Sequence, residues 1–419
     1  MFGKIRSMFW KEQGSKPSEP AGSVSSIVVS AEALKNVASE PGALVYSVVD
    51  FVNAMLQQGR YRVDELPAEA MQAYQCDYYL AQILNGGHSQ YIHNSRQYQG
   101  NYELTSAGLA AMGAAEYAGI FQEMQEWMLE NPVEAKSQTG FTGGRAEALD
   151  SLDRRFYALN TTTPMLEVSG SWIASLKHLR AVSEADLPRV YAEMAALNPH
   201  LNARQMAARV GQIRHFLSDT MLLGFGYAAN VGETARPVVA IGNGAYYDVQ
   251  GQQKMAFVVN AVSRTNYFGV LDDEGAALYE RIEHENPKAP AMDDSEGWKK
   301  ANADGFFSKF KPPEVGAKVA HVTNAQIEAA AELCASFDAA AAVDLLLRSL
   351  NPDPGLTYAS FDTSVEHDAQ TVVILTVLTD REVLNAYIRS DGAMLFRGRE
   401  VLAKVGRAQI REHAAFVNS

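Results

Sequence analysis

From residue 41 to residue 223 apolar positions recur every three or four residues, the period of helices that share a buried face, and near Gly232 that period gives way to alternation and short apolar runs. Pro41 introduces the first strong pattern, Leu44, Val45, Val48, Val49, Val52, Met55 and Leu56, which Gly59 ends. Proline suits a first helical turn because the N–H it lacks had no partner there. Pro67 opens a second helix with Met71, Tyr74, Tyr78 and Ala81 on one face. Asn85-Gly86-Gly87 stops it, since a helix C-cap calls for a left-handed residue that glycine adopts freely. His88 to Asn94 suits one further turn, with Tyr91 and Ile92 available for burial, and Asn94-Ser95 closes it. Tyr98 to Tyr102 reads as a polar loop, with Thr105 or Ser106 capping the next helix and Gly113 interrupting it. Tyr117, Ile120, Phe121, Met124 and Met128 then mark an amphipathic helix that Asn131-Pro132 ends. A loop over Thr139 to Gly144 follows, and later helices are expected around 149–159, 164–180, 184–197 and 203–223.

Beyond Gly232, Pro237 to Ile241, Ala245 to Val249 and Met255 to Val262 read as strands, with Gly242-Asn243-Gly244 and Gln250-Gly251-Gln252 as turns between them. Glu285 to Pro313 reads as a long polar loop holding a short aromatic element, Phe306-Phe307. An alanine-rich helix is expected from Asn324 to Leu350, and strands at Leu356 to Thr363, Gln370 to Thr379, Val383 to Ser390 and Met394 to Arg397, before a closing helix or extended tail. Residues 12–30 are rich in Ser, Gly and Pro, as linkers are. The expected fold is an α-helical bundle domain followed by α+β regions. Its parts are a flexible segment 1–30, the helical domain 31–230, a small α+β region with linker 231–315, and a C-terminal α+β domain 316–419. No convincing internal repeat is legible, although two alternations of helix-rich and strand-rich sequence could hide one.

Composition adds little to this: 47% hydrophobic and 20% charged residues are ordinary for a soluble globular chain. Charge adds more. Of a formal net charge of -13, nine units fall between Asp64 and Asp150, where twelve acids face only Arg96, Lys136 and Arg145. That excess speaks against direct nucleic-acid contact and for a basic protein partner or plain solubility. Cys76 and Cys334 lie in apolar helical patterns far apart, which predicts buried free thiols and fits a cytoplasmic location. The longest apolar run, Thr220 to Ala229, is far too short to span a bilayer. Residues 1–11 mix basic and bulky apolar side chains, so contact with a membrane surface competes there with the favoured reading, a loose start.

No stretch carries a recognisable catalytic arrangement. His88 and His93 stand five apart without an acidic or thiol companion at ligand spacing, and read as polar turn residues. Glu366-His367-Asp368 reads as turn chemistry, and Gly242-Asn243-Gly244 lacks the third glycine and helix of a dinucleotide site. A non-enzymatic protein without metal or cofactor is therefore expected. The alternatives are an enzyme with an unrecognised site in the C-terminal α+β region, or an immunity or scaffold protein that assembles through strand edges.

The residues Asn85, Gly86, Gly87, Gln90, Tyr91, Asn94 and Ser95 form the pattern N-G-G-x-x-Q-Y-x-x-N-S, which resembles the signature of the bacterial DNA-mimic protein family. That family usually has an aromatic residue after the two glycines, where this chain has His88. Leu109 to Ala114 resembles the family's alanine-rich helix ending in glycine, and Ser151 to Leu159 its later L-D-x-R-F-Y segment, so the likeness spans roughly 42–195. The resemblance implies a helical bundle whose carboxylates imitate the phosphates of duplex DNA, one charge per ~1.7 Å of axis, and occupy a DNA-binding regulator or a nuclease. Glu116, Glu123, Glu126 and Glu130 on the amphipathic helix are the candidate partner-binding acids. For the signature itself the favoured role is a structural turn, in which Asn85 and Asn94 satisfy exposed backbone groups while Gln90 and Tyr91 pack beneath.

Overall fold

The computed structural model describes residues 23–95, 99–139, 145–232, 237–263, 266–290 and 295–418. Expectations for residues 1–22, for Tyr98 and for the glycine-rich loop 140–144 fall outside these. Its contacts divide the chain into two units, Met1–Asn202 and Ala203–Ser419.

The first unit runs β1 (Ile27–Ser30), α1 (Ala31–Lys35), α2 (Pro41–Asn53), α3 (Ala68–Ser95), α4 (Gln99–Ala111), α5 (Ala115–Glu130), α6 (Pro132–Ser137), α7 (Glu147–Thr162), α8 (Met165–Ala174), β2 (Leu179–Val182) and α9 (Leu187–Ala196). Ile27–Ser30 stood inside the expected linker, yet all four residues are buried and pair in parallel with β2. Four consecutive buried positions outweigh the serines around them. Ser30 then caps α1 by accepting from the Ala33 N–H. Pro41 starts α2 as expected, and one π-helical turn, Ala54–Gln58, carries the helix on to Gly59. Gln99–Ala111 is helical from its first residue, where a loop to Tyr102 was expected. The Thr105 hydroxyl caps nothing: it is buried and donates to the Asn101 carbonyl one turn back. Two cores result, one around Leu44, Phe51, Ile173 and Tyr191 and one around Tyr79, Tyr91, Phe121 and Phe156.

The second unit contains nearly all of α10 (Leu201–Ser218), then α11 (Thr220–Val231), β3 (Val238–Val249), β4 (Gln252–Ala261), β5 (Asn266–Asp272), β6 (Gly275–Ile282), α12 (Ser295–Ala303), α13 (Phe306–Lys309), β7 (Glu314–Thr323), α14 (Asn324–Ser336), α15 (Ala339–Arg348), β8 (Leu356–His367), β9 (Gln370–Thr379), β10 (Val383–Arg389), β11 (Gly392–Arg397), β12 (Glu400–Gly406) and α16 (Arg407–Asn418). Helices α10 and α11 carry the helical period of the preceding sequence, but Ile213, Leu217, Leu223 and Phe225 pack into the core formed with the sheets. Periodicity shows that a helix has a buried face and not what that face meets. Gly242-Asn243-Gly244 is no turn: it lies within β3, where the ladder to β4 shifts register. The single alanine-rich helix is two, parted at Asp338 in the left-handed region with φ of 52°.

Two five-stranded antiparallel meanders, β3 to β7 and β8 to β12, follow chain order throughout. A helix precedes and follows each: α11 and α14 pack on β6 and β7, while α15 and α16 pack on β11 and β12. The second unit is thus built twice from one plan, the repeat that the sequence hid.

Cys76 and Cys334 are both buried free thiols, and burial pushes each up to about 12. The reactive thiolate is then on the order of 0.01% of either group at pH 8. A thiol reagent at that pH should label neither cysteine in the folded chain and both in concentrated urea; rapid labelling of the folded chain would contradict the packing described.

Candidate functional site

Helix α3 is two helices joined by a kink. Gly86 (φ -154°, ψ 17°) and Gly87 (φ 73°, ψ -173°) leave helical geometry between them, so one helix stops there and the chain turns into the next. Gly87 holds a conformation open in practice only to glycine. Space forbids a side chain as well: a Cβ on Gly87 would stand 2.1 Å from Asp153 Oδ2, and one on Gly86 2.1 Å from Gln90 Oε1.

Asp153 reaches the kink from α7 and is fixed there. Its Oδ1 accepts the His88 backbone N–H at 2.8 Å and contacts the His88 ring at Nδ1 at 2.5 Å. On the ring's far side Nε2 lies 2.9 Å from the Tyr79 hydroxyl. Burial first, then the neighbouring Tyr91 and Asp153, pushes that phenol well above its ordinary range, so it keeps its proton. The tautomer in which Nε2 accepts from the Tyr79 hydroxyl is the one in which Nδ1–H donates to the carboxylate. Arg145 donates to the Gly86 carbonyl at 2.7 Å and stands 3.7 Å from Asp153 Oδ2. The His88 ring also lies edge-on to Tyr79 at 5.8 Å and to Phe156 at 6.1 Å. An Asp–His–Tyr chain of this kind invites a catalytic reading, but His88 and Tyr79 are 0% exposed and Asp153 4%, the burial of a structural network. His93, in contrast, is exposed and contacts the Gln138 carbonyl at 3.0 Å.

Of the signature residues, Gly86, Gly87, Gln90, Tyr91 and Ser95 are buried and only Asn85 and Asn94 are exposed. Asn85 donates to Gln90 Oε1 at 3.2 Å, Gln90 to Gln82 Oε1 at 2.9 Å, and Asn94 to the same Gln82 oxygen at 2.6 Å. These amides clip the two limbs of α3 together across the kink. Tyr91 sits in the aromatic core, its hydroxyl 3.2 Å from Thr105 Oγ1.

The four acids of α5 are all exposed. At 100° per residue Glu116, Glu123, Glu126 and Glu130 fall within an arc of about 80°, spread over about 21 Å of helix, opposite the buried Tyr117, Ile120, Phe121 and Met124. They do not form one free set. Arg155 of α7 donates to both Glu123 oxygens at 2.5 and 2.7 Å, and that bonding, ahead of the nearby charge, holds the carboxyl below its usual range. Glu126 accepts from Gln122 at 2.9 Å. Glu103, Glu134 and Glu147 are further exposed acids of this unit.

Sequence reading missed the His88–Asp153 and Arg155–Glu123 pairs. The available signal was that Asp153 and Arg155 stand in the third resembling segment and His88 in the first, so segments shared with one family were the ones to test for contact. Among the described residues no three His, Cys, Asp or Glu side chains converge as metal ligands do, and no helix is long and apolar enough to cross a membrane. Comparison with curated proteins and with solved structures gave no match. Residues 64–175, which hold all three resembling segments together with Tyr79, His88 and Asp153, match the family model for DMP19-like proteins, so the DNA-mimic likeness is shown over that segment of the chain.

Proposed function

We propose that the acidic helical unit binds a basic protein partner through the surface with which that partner grips duplex DNA, and that it does so without catalysis. A DNA-binding regulator or a nuclease has the required lysine and arginine clusters. The observation that carries this reading is the match of residues 64–175 to the DMP19-like family. The placement of Glu116, Glu126 and Glu130 on one exposed arc of α5 supports it. Magnitude limits what α5 does alone: one DNA strand carries a charge per ~3.4 Å, so about 21 Å of helix bearing four carboxylates is sparser than a single strand. Neighbouring acids such as Glu103, Glu134 and Glu147 have to complete the array.

In this reading the buried signature is a positioning device. It holds α3 against α7, and α7 carries the Arg155 that braces Glu123.

The test begins with the full chain as bait in native lysate, eluted by duplex DNA or by rising salt, with each captured protein identified by mass spectrometry. For a purified captured partner, joint replacement Glu116→Gln, Glu126→Gln and Glu130→Gln should weaken binding about tenfold or more at physiological salt. Glu123→Gln alone should do less, because Arg155 already occupies that carboxylate. A complex indifferent to salt, to duplex competitor and to the triple change would remove the acidic face from the mechanism.

A further inference from the structure

The ladders of the two meanders run in matching register from β5 into β7 and from β10 into β12, and the outer face of the first carries a cavity. Hairpin ends correspond first: Asp272 pairs with Gly275 as Arg389 pairs with Gly392, each across a two-residue turn. Counting from there, Ala276 and Leu278 match Ala393 and Leu395, all four buried in the shared core. The last ladder of each sheet even shifts register at the same place, between Leu278 and Tyr279 and between Leu395 and Phe396. The face turned away from that core can therefore be compared position by position. Ala277 corresponds to Met394, Lys254 to Val372, Lys318 to Val401, and His321 to Lys404.

On that face the first meander has a polar cavity of about 230 Å³, lined by Lys254, Asp272, Ala277, Tyr279, Lys318 and His321, with Glu274 at the β5–β6 turn. A cavity of ~150 Å³ already admits a six-carbon ring, so a small molecule fits. Ala277 provides the floor, where the second meander places a methionine. Lys254 is held by Asp272 at 2.6 Å, and the Lys318 ammonium lies over the Tyr279 ring at 5.7 Å from its centre. The His321 Nε2 is enclosed yet meets no hydrogen-bond partner, a cost that a bound acceptor or donor would relieve.

We propose that this cavity binds a compact oxyanion, the carboxylate or phosphate group of a small molecule, with Lys318 and His321 as its direct contacts, while the Lys254 charge is taken up by Asp272. Tyr279 and Ala277 form the apolar wall against which the rest of that molecule packs. The second meander places Val372, Met394 and Val401 at the positions of Lys254, Ala277 and Lys318, and Lys404 at that of His321.

Calorimetric titration of the full chain at constant ionic strength, once with inorganic phosphate and once with succinate, tests this. One saturable site is expected for at least one probe, and the probe that binds identifies the class of oxyanion. Ala277→Met, which installs what the second meander already tolerates, and Lys318→Gln, at an exposed position, should each lower the affinity at least about tenfold, while Met394→Ala leaves it unchanged. Circular dichroism of each variant checks that the fold is kept. Absence of saturable binding by both probes, or binding that both folded cavity variants retain, would overturn the proposal.

Discussion

Gly87→Ala should destabilise the helical unit by roughly 3–4 kcal/mol, because a strained backbone and a steric collision act together at one atom. The residue's φ of 73° with ψ of -173° is unfavourable for any L-residue, and its Cβ would stand 2.1 Å from Asp153 Oδ2. Asp153 cannot step aside without surrendering both of its bonds to His88. Gly113→Ala separates the two causes: its φ is 69°, but an added Cβ meets nothing within 4 Å, so only about 1–2 kcal/mol of left-handed strain is expected. In an Asp153→Ala background the collision disappears and the cost of Gly87→Ala should fall toward the Gly113 value, a coupling of order 1.5 kcal/mol. Urea unfolding read by hydrogen exchange on peptides of α3 and α7 measures all four variants. Equal costs for Gly87→Ala with and without Asp153 would show that the carboxylate does not restrict the turn.

That pair of residues also marks what the sequence disclosed and what it withheld. Helices were legible wherever an amphipathic period had a clear start, as at Pro41, and the kink was legible from two adjacent glycines. The partner that makes the second glycine obligatory was not, since Asp153 lies 65 residues beyond the adjacent His88 and a lone aspartate in a helical pattern looks like surface. Local signals report local backbone; a buried hydrogen-bonded pair is a product of tertiary packing. His88 read as a turn residue for the same reason. The acids of α5 illustrate the converse. Their common arc followed from spacing alone, whereas the occupation of Glu123 by Arg155 depended on how α5 and α7 cross.

In the second unit the errors have one source. Gly242-Asn243-Gly244 has turn chemistry, but the same residues serve a bulged strand when a neighbour supplies the ladder. The repeat escaped notice because the two copies conserve only core-facing identity, Gly275-Ala276-Ala277-Leu278-Tyr279 against Gly392-Ala393-Met394-Leu395-Phe396, and because α12 and α13 are inserted before β7 in the first copy alone. Alternation shows which face of a strand is buried. It does not show that two strands far apart in the chain hold equivalent places in equivalent sheets.

Asp344→Ala should cost the second unit about 3–5 kcal/mol, the usual consequence of removing one member of a buried charge cluster. Asp344 is 0% exposed on α15 and is surrounded by donors from three helices. Arg209 of α10 binds Oδ1, while Arg348, one turn further along α15, and His413 of α16 approach Oδ2 at 2.9 and 2.6 Å. Arg209 is shared with Asp353 at 2.7 Å, which ties the cluster to the segment leading into β8. Removing the carboxylate leaves the Arg209 guanidinium, its side chain only 15% exposed, with Asp353 alone as counter-charge, and takes the shared acceptor from Arg348 and His413. The contrast is the Arg397–Glu382 pair on the sheet, whose two bonds of 2.5 Å look stronger but whose arginine is half exposed; exposed pairs contribute at most about 1 kcal/mol. Glu382→Gln should accordingly move the urea midpoint little. Hydrogen exchange should quicken across residues 203–419 in Asp344→Ala, with residues 23–202 keeping their protection, as separate units require. A loss no larger than that of Glu382→Gln would mean that the cluster holds α10, α15 and α16 together no better than a surface contact does.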